Sequence, residues 1–97
     1  MLYYYKGDIM ISVNKLRDSA FMIINNIAFL TSVSGENRVL VAVDLNNRGN
    51  TATFSYNSSN GHFFVIESSF PEGKRKYEML YFVERNTKKI AEVLLNA

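Results

Sequence analysis

The sequence predicts an α+β fold: a four-stranded antiparallel β-meander with an N-terminal helix and a short C-terminal helix packed on one face. Three observations carry this expectation. Residues 38–45, 51–57, 62–67 and 77–84 are runs rich in Val, Phe, Tyr and Thr, side chains that fit a pleated, half-buried surface. The gaps between them, residues 46–50, 58–61 and 70–74, collect Asn, Gly and the single Pro, the residues that tight turns demand. On either side of this block the apolar spacing becomes helical. At 97 residues the chain makes one domain, 1–97, able to bury about two-thirds of its unfolded surface. It contains no repeat, low-complexity tract or linker.

In chain order, Leu2 to Tyr5 and Ile9 to Val13 flank Lys6-Gly7-Asp8 and are compatible with a small N-terminal hairpin. The stretch 15–31 has two readings. On a helical wheel, Leu16, Ala20, Ile23, Ile24, Ile27, Leu30 and Thr31 share one arc, opposite Asn14, Lys15, Asp18, Ser19, Asn25 and Asn26. That separation favours a helix, with Asn14 or Ser12 as its cap. The competing arrangement makes Asn25-Asn26 a hairpin turn between strands 21–24 and 27–33. Met22 and Phe29 fit the helix poorly, because both fall on its polar side.

Alternation then assigns two faces to the meander. Val39, Val41, Val43, Leu45, Ala52, Phe54, Tyr56, Phe64, Ile66, Tyr77, Met79, Tyr81 and Val83 form the inner face, beneath the helices. Leu40, Phe63, Val65, Leu80 and Phe82 form an apolar strip on the outer face, with Arg38, Asp44, Glu67, Glu78 and Glu84 at its margins. After the meander, Asn86 is placed to cap a helix over 87–96 whose Ile90, Ala91, Leu94 and Leu95 share a face.

Composition narrows the function. The absence of cysteine removes disulfides, thiolate metal sites and cysteine nucleophiles. The N-terminus lacks the pattern of a secretory signal, and the apolar stretch 20–33 is interrupted and too short for a membrane span, which points to a cytoplasmic protein with no membrane partner. Eleven Lys and Arg against nine Asp and Glu leave a net charge of +2, too balanced to indicate nucleic acid alone.

Chemical motifs are sparse. His62 is the single histidine, so neither an imidazole cluster for a metal nor a serine triad independent of His62 can be built. Ser55, Ser58, Ser59 and Asp44 lack the context of an activated nucleophile, and Glu67, Glu78 and Glu84 read as solubilising acids at strand margins. The glycines are scattered, without a phosphate cradle. No cofactor, metal or catalytic role is expected. Alternating loops of a meander bring 46–50 and 70–76 to the same end, which gathers Arg48, Lys74, Arg75 and Lys76 into a basic rim; Arg38, Arg85, Lys88 and Lys89 would gather at the other. Tyr3-Tyr4-Tyr5 splits between two faces of a strand and reads as packing.

Lys88-Lys89 opening the last helix, with Ala91 after it, resembles the end of a double-stranded-RNA-binding domain, a module that reads duplex shape. The extra strand, the lack of a Gly-Pro loop before a histidine, and Leu94 and Leu95 in place of small residues depart from that pattern, and no membership follows. The expectation is a non-catalytic protein-binding module of inhibitor, antitoxin or immunity-protein type. Its anchors would be Leu40, Phe63, Val65, Leu80 and Phe82, engaging another protein or a second copy. The alternative is nucleic-acid binding through the basic rim.

Overall fold

The computed structural model describes residues 12–96 and is α+β. Helix α1 (Val13–Ser19) is followed by five strands, β1 (Met22–Ile24), β2 (Ile27–Ser34), β3 (Asn37–Asp44), β4 (Thr51–Asn57) and β5 (His62–Ser68). Helices α2 (Lys74–Arg85) and α3 (Thr87–Asn96) complete the chain. The strands pair antiparallel in sequence order, β1-β2-β3-β4-β5, so the expected meander is present but holds five strands, not four. The N-terminal hairpin and the Tyr3–Tyr5 triplet fall outside the described residues, apart from Ser12 and Val13, which begin α1.

The helix expected over 15–31 ends at Ser19. Ser12 caps its start, its Oγ accepting the Lys15 amide at 3.2 Å, and Asn14 lies inside the helix. The remainder is the competing hairpin. Asn25 and Asn26 have φ of 49° and 64° between Ile24 and its partner Ile27, the paired positive angles of a two-residue turn that matches strand twist. Pairing also resolves the misfit of Met22 and Phe29, which stand opposite each other across β1 and β2. Ile27, Ala28, Phe29 and Leu30 are all buried. A central strand covered on both faces explains four consecutive buried residues, whereas a surface helix buries only one stripe.

Both faces of the sheet are covered, which corrects the placing of all helices on one side. Leu16 of α1 packs with Ala28, Leu30, Val39, Val41, Val43 and Leu45. On the other face, Ile27, Phe29, Leu40, Ala42, Ala52 and Phe54 pack with Met79 and Val83 of α2, Ile90 of α3, and Phe70. Ala52 and Phe54 therefore share a face with Leu40 and Ala42, not with Val39 and Val41, because the β3–β4 register sets Leu40 opposite Phe54 and Ala42 opposite Ala52.

Residues 77–84, expected as the fourth strand, lie in α2. The chain leaves β5 through Phe70 and Pro71, and Gly73, at φ 149°, adopts a conformation that a side chain would strain. Helix spacing then brings Lys76 to Glu72 at 2.6 Å and Arg75 to Glu78 at 3.4 Å. Asn86 stands between the two helices, its carbonyl accepting the Ile90 amide at 2.9 Å at the start of α3. Its Nδ2, expected to face α3, donates back to the Phe82 carbonyl at 2.8 Å and closes α2. Ile90, Ala91 and Leu94 are buried as expected, while Leu95 is exposed.

Candidate functional site

The edges of the sheet differ. One edge, β1, is only three residues long, a common way of blunting a strand that has unpaired backbone groups. The other, β5, has seven residues, and among the described strands it pairs with β4 alone. Among the described residues the N–H and C=O groups on its far side have no strand partner, an edge of the kind that accepts a further strand. β5 also carries exposed apolar side chains in succession, Phe64 at 52%, Val65, and Ile66 at 53% relative exposure. The register shifts at Ile66, which has no partner in β4, while 62–65 pair regularly with Asn57, Tyr56, Ser55 and Phe54.

α2 forms a wall beside this edge. A groove of about 400 Å³ runs between them, floored by Phe54, Phe63, Val65, Leu80 and Val83, with Tyr77 and Tyr81 along α2 and His62, Glu84 and Thr87 at one end. Phe63 also packs against Tyr56 with the rings tilted by 51° and their centres 4.9 Å apart. Tyr77 and Tyr81 are 57% and 54% exposed, and the guanidinium of Arg85 lies 5.8 Å from the Tyr81 ring centre. The Tyr77 hydroxyl donates to Glu72 Oε2 at 2.6 Å, and that bond pushes its phenol above the ordinary tyrosine value. The Glu72 carboxyl is held below the usual carboxylate range, first by its hydrogen bond from Lys76 and then by that from Tyr77.

The expected anchors divide. Phe63, Val65 and Leu80 line the groove. Leu40 is 0% exposed, and with Phe54 opposite it belongs to the core, not to an open strip. Phe82 is partly buried against the same core. The face expected to be open is the one α2 and α3 cover, because residues 77–84 are a helix laid over it. Phe64, Ile66, Tyr77 and Tyr81, assigned to the inner face, are instead exposed around the β5 edge. Helical spacing was the signal for the tyrosines: Lys74, Tyr77, Tyr81 and Glu84 recur every three or four residues.

The basic rim is reorganised too. Gly49 and Ser69 meet at one end of the sheet, where Ser69 Oγ donates to the Gly49 carbonyl at 2.6 Å, so the β3–β4 turn lies beside the chain leaving β5. Lys74, Arg75 and Lys76, however, form the first turn of α2 and not a loop. Arg75 grips the buried Asp44 with two bonds, Nε to Oδ2 at 3.1 Å and Nη2 to Oδ1 at 3.0 Å, and Nη2 also reaches the Asn26 carbonyl at 3.2 Å. The hydrogen bonds from its guanidinium to Asp44 hold Arg75 above its ordinary value. Lys76 is paired with Glu72, and Arg48 sits in the β3–β4 turn.

The residues considered for catalysis are dispersed. Asp44 lies at the Thr51 end of the sheet and His62 at the Asn57 end, too far apart for a triad. Glu67 pairs with Thr53 on β5, Glu78 turns toward Arg75 and Asn25, and Glu84 stands at the end of the groove. Among the described residues no three acidic or histidine side chains cluster in a way that could hold a metal ion, and no helix is long and apolar enough to cross a membrane. The chain matches no protein-family model, no curated protein and no solved structure, so the reading of this site rests on its own geometry.

Proposed function

We propose that this chain is a small, non-catalytic protein-binding module that takes an extended segment of a partner as an additional strand on β5. One observation carries the reading: the exposed seven-residue edge of β5 lies beside a groove lined by Phe63, Val65, Leu80, Tyr77 and Tyr81. In strand addition the backbone ladder supplies affinity and alternate side chains of the added strand enter a pocket, which gives selectivity. Here the open edge supplies the ladder and the groove between β5 and α2 supplies the pocket. A role as inhibitor, antitoxin or immunity protein in the cytoplasm fits such a module, and the lack of cysteine suits that reducing compartment.

Placing photo-activatable benzoylphenylalanine at position 64, with the same residue at exposed position 92 on α3 as control, tests the reading. Irradiation in an extract of the source cells, or of the purified chain, should yield protein crosslinks from position 64 well above those from 92. Equal yields from the two positions would remove β5 as the binding edge.

A further inference from the structure

We infer that the strand added to β5 is the β5 of a second copy, docked antiparallel about a two-fold axis beside Phe64, so that the two sheets continue into one and the α2 helices face each other. The inference rests on the strand-addition reading and supplies its partner. Its motivation is that two neighbouring surfaces are each complementary to themselves under that one operation.

The strand comes first. A two-fold axis perpendicular to a sheet sets antiparallel strands in self-matching register, so residue types must suit their own mirror positions. With the axis at Phe64, that ring meets the partner's Phe64, Phe63 meets the partner's Val65, and His62 meets the partner's Ile66. Aromatic and aromatic–aliphatic pairs are the favourable cross-strand combinations, and no like charges oppose each other. The self-paired stretch 63–65 lies within the regular part of the strand, and the irregularity at Ile66 falls at the ends of the ladder, opposite the partner's His62.

The helix repeats the pattern. Lys74, Tyr77, Tyr81 and Glu84 form a single exposed stripe, in which Tyr77, Tyr81 and Glu84 border the groove beside β5. Antiparallel pairing about the middle of the stripe puts Lys74 against the partner's Glu84 and Tyr77 against the partner's Tyr81, with both matches repeated in reverse. Neither Lys74 nor Glu84 has a side-chain hydrogen bond or ion pair among the described residues, although Lys76, Arg75, Glu72 and Glu78 beside them are all paired. A cation at one end, an anion at the other and two tyrosines between them make a stripe that is complementary to itself only when antiparallel.

Light scattering on the purified chain, with four variants, tests the assignment. The unmodified chain should show twice its 11.1 kDa mass. Phe64→Lys should be monomeric, since it opposes two cations on the axis. Lys74→Glu and Glu84→Lys should each weaken association by about tenfold, because each turns two exposed attractions into two repulsions. The double reversal Lys74→Glu with Glu84→Lys should restore it, and that rescue separates pairing from damage to the fold. A monomeric unmodified chain, or a dimer that tolerates Phe64→Lys, or a double reversal no better than either single one, would overturn the assignment. If the chain is monomeric while position 64 still crosslinks a different protein, the second copy is excluded and strand addition stands.

Discussion

Leu40 and Phe64 are both apolar strand residues, and the neighbours each receives from the sheet decide what each does. Leu40 is enclosed by Phe54, Ala42 and the α2 and α3 side chains. Truncating it to Ala removes buried methyl groups and leaves a cavity, so Leu40→Ala should cost about 2–5 kcal/mol in urea unfolding. Phe64→Ala, compared with the parent at a dilution where both are monomeric and this side chain is exposed, should stay within about 0.5 kcal/mol. A Leu40→Ala protein as stable as the parent would mean the core is not packed as described. Alternation in the sequence separates Leu40 from Val39 and Val41 correctly. It cannot say which set in β4 joins Leu40, because that match depends on the path of residues 45–50, and a slip of one residue exchanges the faces.

Elements were legible where one period fitted and ambiguous where two did. The runs at β3, β4 and β5, and the buried face of α3 through Ile90, Ala91 and Leu94, were readable because their patterns suit only one structure. Residues 77–84 read equally well at a period of two and as a helix with Met79 and Val83 four apart, and the helix is what covers the sheet. In 15–31 the wheel favoured a helix, while the turn chemistry of Asn25-Asn26 pointed to the hairpin that forms. The same turn gives a prediction in which two effects oppose. Gly in place of Asn26 suits a positive φ and by turn preference should help slightly. But the Asn26 side chain accepts from Arg17 Nη2 at 2.7 Å and donates to Asn46 at 2.6 Å, fastening α1 and the β3–β4 turn to this hairpin. Losing two hydrogen bonds worth about 1 kcal/mol each outweighs a gain of a few tenths, discounted for exposure. Asn26→Gly should therefore lower stability by about 1 kcal/mol, whereas a raised unfolding midpoint would show that the backbone term dominates.

At the scale of the whole molecule, Arg75 joins parts that are far apart in sequence. It bonds to Asp44 at the end of β3, to the Asn26 carbonyl in the β1–β2 turn, and to Glu78 one turn along α2. Asp44 is nearly inaccessible to solvent, and it also accepts the Asn46 amide at 2.9 Å. Removing the guanidinium would leave a buried carboxylate without its countercharge, a change that costs on the order of 3 kcal/mol, more than the pair itself contributes. Arg75→Met should thus destabilise strongly. Adding Asp44→Asn should recover much of the loss, because an amide can be buried at far lower cost than a charge. Urea unfolding of the two variants decides the point: equal midpoints for Arg75→Met and the unmodified chain would mean that solvent already screens the pair. The consequence reaches the site, since α2 carries Tyr77, Tyr81 and Glu84 as one wall of the groove and Arg75 anchors the first turn of that helix. Replacing Arg75 to probe phosphate binding would therefore disturb the groove as well, so any loss of association in that variant must be compared with its unfolding curve before it is assigned to charge.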